Sequence, residues 1–169
     1  MKTNIQLILP LLVLSFLSFS CSTENNDDLY SQESEITIDA STVTYTSLES
    51  NILDLVNAHR TSIGLNDLEI LNLVSSVAEE HTMYMIENGQ ISHDNFDDRA
   101  QQLMSAAKAK SVAENVAFGY STAEGVLEGW LNSDSHRAAI ENSKFTHFGI
   151  STECNNNGRN YFTNIFIKK

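Results

Sequence analysis

Two strand-like runs close the chain, Phe145 to Thr152 and Asn160 to Lys168, and the segment between them is Asn155-Asn156-Asn157-Gly158-Arg159. Aromatic and β-branched residues suit a pleated strand, and Asn-Gly supplies the backbone angles of a tight connection. The pair predicts an antiparallel hairpin. A hairpin cannot bury its own faces, so the residues upstream have to supply what lies against it.

They supply one more strand and several helices. Val112 to Tyr120 has strand character, and a period of two places Glu114, Val116, Phe118 and Tyr120 on one side. Thr46-Ser47-Leu48-Glu49 has the capping-box pattern. Behind it Leu48, Ile52, Leu55, Val56, His59 and Ile63 recur at helical spacing, with Gly64 as the stop. A second helix is expected from Ile70 to Asn88, with Leu71, Val74, Ala78, His81 and Met85 along one stripe and Gly89 after its end. His59 and His81 lie in these stripes, so both read first as hydrogen-bonded packing residues. A third helix is expected from Asp97 to Lys108, with acids at its start and lysines at its end, matching the helix dipole. Ser121-Thr122-Ala123-Glu124 is a second capping box. Ala123, Val126, Leu127, Trp130 and Leu131 follow at helical spacing, which predicts Trp130 buried against the sheet. Helices around a small antiparallel sheet make an α+β layered arrangement.

The N-terminus has a different character. Met1 to Ser20 carries one basic residue, Lys2, then an apolar run from Ile5 to Phe19, and Cys21 follows. The run is short for a membrane span and reads as an export signal over residues 1–20. Leu17 and Ser18 before Cys21 resemble, loosely, the lipobox of bacterial lipoproteins, which makes Cys21 the expected lipidation site and lipid the expected membrane anchor. A plain secretory signal with an incidental cysteine fits the same run. Residues 21–41 are polar and acidic, as in a flexible tether, and residues 42–169 have the size of one domain. The acids soon after Cys21 resemble signals that send some lipoproteins to the outer surface of the cell, so the expected location is membrane-anchored, facing the periplasm or the outside. A Cys21–Cys154 bridge and a free Cys154 are both allowed, and in a strand-like run Cys154 reads as a small core hydrophobe. The 22 acidic residues outnumber the ten basic ones and give a formal charge of −12, so nucleic-acid binding has no electrostatic support.

Chemistry concentrates between Ser111 and Ile140. Glu114 stands in a strand, and His136 opens a short helix after the capped one. His93, in the polar turn Gln90-Ile91-Ser92-His93-Asp94, has no packing reason to be there. Two imidazoles and a carboxylate from three elements are the material of a polar cleft.

The order AHRTSIGLNDLEI, SSVAEEHTMYM, ENGQISHDNF, AENVAFG, GWLNSDSHRAAI, FTHFGI and YFTNIF resembles the CAP superfamily, in its bacterial SCP-like branch. The superfamily takes its name from cysteine-rich secretory proteins, antigen 5 and pathogenesis-related 1 proteins. The resemblance runs from about Ser50 to Phe166. It implies a three-layer α-β-α sandwich and a central cleft lined by two histidines and two glutamates. By motif these become His93, Glu114 and His136. The fourth position falls on Ser133, where animal and plant members have a glutamate, and a serine supplies neither charge nor base. The resemblance also implies varied roles, among them binding of a small hydrophobic ligand such as a sterol or fatty acid, or of a protein partner.

His93, Glu114 and His136 are a chemically reasonable three-ligand set for a divalent metal such as zinc, with water in the fourth position; the alternative is a hydrogen-bonded cleft without metal. A binding or interaction module is the expected function. The other reading is a hydrolase in which His93 or His136 is the base, Glu114 orients it, and Ser133 or Ser135 is the nucleophile.

Overall fold

The structure, a computed structural model, describes residues 43–169. The leader over 1–20, Cys21 and the tether over 21–41 lie outside the described residues. The elements in chain order are α1 (Ser47–Ser62), β1 (Glu69–Ile70), α2 (Asn72–Asn88), α3 (Phe96–Ala106), β2 (Ser111–Phe118), α4 (Ala123–Leu131), α5 (Asp134–Ile140), β3 (His147–Cys154) and β4 (Asn160–Lys168).

Helix α1 starts at its expected cap. The Glu49 amide donates to Thr46 Oγ1 at 3.2 Å, and the Thr46 amide donates to Glu49 Oε2 at 2.8 Å. At its other end Ile63 is the C-cap and 48% exposed, so the buried stripe stops before it. Arg60, in the last turn, is fully buried. Its guanidinium donates to the carbonyls of Asn66, Ile140 and Asn142, which ties α1 to the end of α5.

Helix α2 begins at Asn72, not Ile70. Glu69 and Ile70 instead pair in parallel with His147 and Phe148. The amides of Glu69 and Leu71 find carbonyls on Thr146 and Phe148, and a strand pairing satisfies those groups where a further helical turn would not. The sheet order is β1-β3-β4-β2, with β3–β4 and β4–β2 antiparallel. The expected hairpin is present. The sheet as a whole is mixed, not antiparallel throughout, because of the two-residue edge.

The two-residue period of β4 sorts the core into two halves. Phe162 and Phe166, with Phe148 and Ile150 of β3, pack against Ile52 and Val56 of α1 and Trp130 of α4. Ile165 and Ile167 pack against Val74 and Val77 of α2 and Leu103 of α3. Helices α1 and α4 therefore cover one face and α2 and α3 the other, which is the α-β-α sandwich. Trp130 is 1% exposed, and its Nε1 donates to the Val116 carbonyl at 3.1 Å.

Several local expectations are corrected. Strand β2 ends at Phe118. Phe118 and Tyr120 are both partly exposed, and the Arg159 guanidinium lies 4.9 Å from the Phe118 ring centre. The cap of α4 is Thr122, whose hydroxyl accepts from the Gly125 amide, and Ser121 lies outside the helix. Helix α3 starts one residue earlier and ends two earlier than expected, which leaves the lysines beyond its last turn. Cys154 ends β3 and is exposed, so it is not a core residue.

Strand β3 passes α2 closest at Gly149. A Cβ there would fall 2.7 Å from the Val74 carbonyl carbon and also against the Ser75 amide nitrogen, both backbone atoms that cannot rotate away. Gly149→Ala should destabilise the domain by about 1–3 kcal/mol through overpacking, read as a lower urea midpoint.

Candidate polar cleft

Glu114 sits on the β2 face that looks toward α2 and α3, and its side chain is 1% exposed. A carboxylate this enclosed needs partners for both oxygens. Oε2 accepts from Arg99 Nε at 2.9 Å. Oε1 accepts from Arg99 Nη2 at 2.8 Å and lies 2.8 Å from His93 Nδ1. Burial alone would raise the Glu114 carboxyl, but the bonds from His93 and Arg99 and the guanidinium charge outweigh it, and its pKa lies below the ordinary value. Arg99 is placed by α3. Its remaining nitrogen, Nη1, donates to the Asp94 carbonyl at 2.6 Å, which fixes the turn that carries His93.

His81 belongs to this cluster, although the stripe on α2 marked it only as packing. It is 2% exposed, stacks on Tyr84, and places Nε2 2.8 Å from the Ser92 carbonyl and 3.7 Å from Glu114 Oε1. A carbonyl accepts only, so Nε2 carries the proton. Among the described residues Nδ1 has no partner. Burial lowers the His81 pKa, against the pull of Glu114, and the ring is held neutral. His59, the other stripe histidine, lies away from the cluster and bonds Glu141 at 2.9 Å.

Alternation along β2 turns Asn115 to the opposite face. Its Nδ2 donates to the His136 carbonyl at 3.0 Å, which anchors the start of α5 against the edge strand. His136 is half-buried. Burial lowers its pKa, and the nearness of His93 adds a further lowering. Beside His136 an apolar hollow of about 250 Å³ is lined by Ile91, Val116, Phe118, Tyr120 and Trp130.

Ser133 is the N-cap residue of α5, and its hydroxyl makes no capping bond. Its Oγ lies 3.3 Å from Ser135 Oγ, and neither hydroxyl bonds an imidazole. Glu114 does not fit the role of metal ligand, since Arg99 already spans its two oxygens. Among the described residues no group of three His, Cys, Asp or Glu side chains is placed to hold a metal ion. Sequence reasoning missed Arg99, His81 and Asn115. For Asn115 the signal was its place next to Glu114 in a strand, which put it on the other face. For Arg99 it was the need of any buried carboxylate for a cation.

An α-β-α sandwich whose edge strand carries a histidine–glutamate cleft defines the class of this protein. The cysteine-rich secretory protein family model, CAP, matches residues 53–166, and the chain belongs to this family. It is 36% identical over 129 residues to the uncharacterized membrane protein YlbC of Bacillus subtilis, a match that covers 73% of this chain and 35% of that protein. The chain thus spans about a third of that relative. Among solved structures, an outer surface protein from Borrelia burgdorferi superposes with a TM-score of 0.66 at 23% identity, over 76% of this chain and 99% of that one. An extracellular SCP-domain protein from Bacillus anthracis gives 0.63 at 28% identity, over 76% of this chain and 45% of that one.

Removing the cation from Glu114 should be costly. Arg99→Met leaves a buried carboxylate without its counter-ion and should cost on the order of 3–5 kcal/mol in urea unfolding, more than Arg137→Met at the exposed pair with Asp134. Acid sensitivity has two parts. The fold depresses the His81 and His136 pKa values below their ordinary 6.5, so the unfolded chain binds more protons and stability falls as pH drops through that value. It also depresses the Glu114 pKa below 4.5, which adds a second loss at lower pH. The urea midpoint should decline from about pH 7 to about pH 5, and His81→Gln should flatten that decline.

Proposed function

We propose that this chain is an exported, lipid-anchored CAP domain that works as a binding module, with ligand contacts at the cleft between His93 and His136. The observation that carries this reading is the Arg99–Glu114–His93 chain of hydrogen bonds. It fixes a neutralised carboxylate behind an imidazole that is half exposed, with a side-chain exposure of 50%. Such an arrangement holds the imidazole in one orientation and presents its Nε2 edge to a ligand. The apolar hollow beside His136 is the natural seat for the hydrophobic part of a small ligand or of a partner's side chain.

Export and anchoring rest on the apolar leader and on Cys21. They agree with the names of two similar proteins, one a membrane protein and the other extracellular. No helix among the described residues is long and apolar enough to cross a membrane. The hydrolase reading has weaker support, because neither Ser133 nor Ser135 meets a base and Glu114 is committed to Arg99.

A second reading concerns metal. Glu114 holds His93 at Nδ1, which leaves Nε2 free, and a carboxylate behind a ligating imidazole is the usual supporting partner of a metal site. His93 and His136 would hold a divalent ion such as zinc as a labile pair, with Glu114 as positioning residue and water completing the shell.

Fractionation of producing cells should place the chain with membranes and Cys21→Ala in the soluble fraction. Zinc titration of the metal-stripped chain should give weak saturable binding that His93→Ala and His136→Ala both abolish and Ser133→Ala leaves intact. Ester or amide turnover lost on His136→Ala and Ser133→Ala would replace the binding module with the hydrolase.

A further inference from the structure

A second hollow of about 340 Å³ lies between the N-terminal ends of α1 and α2 and the later half of β3. It shares no lining residue with the cleft around Glu114. Three carboxylates line it, Glu49 from α1, Glu79 from α2 and Glu153 from β3. Glu49 is a fixed charge, since its oxygens accept from the Thr46 amide and hydroxyl and from the Thr152 amide at 2.7–2.8 Å. Among the described residues none of the three forms an ion pair. Burial, with Glu79 and Glu49 nearby, raises the Glu153 pKa above its ordinary value, as unrelieved like charge does.

An independent feature points to a ligand. Ser151 lines the same hollow, is 3% exposed, and its Oγ has no hydrogen-bond partner among the described residues. A buried hydroxyl left unpaired is destabilising, so the position is one that an incoming donor would relieve. The neighbouring Tyr45 hydroxyl is already taken by Asn72 and Ser75.

The charge excludes an anion. A bare divalent ion is best held by several converging oxygens, and among the described residues no group of three His, Cys, Asp or Glu side chains is placed to hold one. A primary ammonium has three N–H donors that spread over a wider shell, and its alkyl stem fills volume.

We propose that this hollow binds a primary alkylammonium group, with Glu153 and Glu79 as counter-ions, Glu49 as a fixed negative wall, and Ser151 Oγ accepting one ammonium hydrogen. The ammonium belongs to a free polyamine or to a lysine side chain. The site is separate from the His93–His136 cleft, and neither depends on the other.

The probe is n-butylammonium, titrated into the purified full chain by calorimetry and by amide chemical shifts, with n-butanol as the uncharged control. Saturable binding of the amine alone is expected, with shifts centred on Ser151 and Glu153. Glu153→Gln and Ser151→Ala should each weaken it about tenfold, the scale of one charge-assisted or buried hydrogen bond. His93→Ala should leave it unchanged, so a failed cleft and a failed ammonium site give different results. Both test positions change few atoms, and a urea midpoint no lower than that of the unsubstituted chain confirms that each variant is folded. Comparison of cadaverine with Nα-acetyl-lysine methylamide then assigns the source, since tighter binding of either upholds the site. No saturable binding, equal binding of butanol, or wild-type affinity in Glu153→Gln would overturn it.

Discussion

The Glu114 carboxylate is enclosed at the edge of the sheet, and the surrounding structure is arranged to make that tolerable. Its charge is matched by Arg99, which α3 must deliver to a fixed place, and Arg99 in turn holds the Asp94 carbonyl and so the turn bearing His93. One desolvated charge thus couples β2, α3 and the loop after α2. Breaking the pair from either side leaves a buried ion, which makes the loss of either partner costly. His81 closes it from α2, neutral because burial outweighs the attraction of Glu114.

Alternation in a single strand divides the work. Glu114 faces α2 and α3 and steadies His93. Asn115 faces α5 and steadies His136 through that residue's carbonyl. Because β2 is an edge strand, its two faces hold the two histidines from opposite layers of the sandwich, His93 through Glu114 and His136 through Asn115. Trp130 reinforces the same edge by donating to the Val116 carbonyl, so an aromatic core residue of α4 also forms the floor of the apolar hollow.

The same contacts set the state of each group in the cleft. Its carboxylate is neutralised by a guanidinium, two of its histidines are held neutral by burial, and the candidate hydroxyls stand next to one another and not next to a base. The acidic hollow at the other end of α2 has the opposite character. There three carboxylates lack cations and a buried hydroxyl lacks a partner among the described residues. In one case a buried carboxylate is met by a counter-charge from the chain; in the other, carboxylates of differing exposure line a surface hollow without one among the described residues.

The sequence by itself determined the layered α+β fold, the capping of α1, the C-terminal hairpin, the burial of Trp130 and the candidacy of His93, Glu114 and His136. These depend on periodicity and on local hydrogen bonds between residues three apart, which are short-range along the chain, and on the order of motifs, which is read directly from the sequence. The tertiary structure alone decided that Ile70 pairs with Phe148 instead of starting a helix, that Cys154 is exposed, and that His81 joins Glu114. It also decided that Arg99 spans the carboxylate expected to bind metal. The physical reason is common to all four. Each is settled by what a distant segment brings, or fails to bring, against the group, whether a partner for a backbone amide, a partner for a buried charge, or cover for the end of a strand, and that is written in no local pattern.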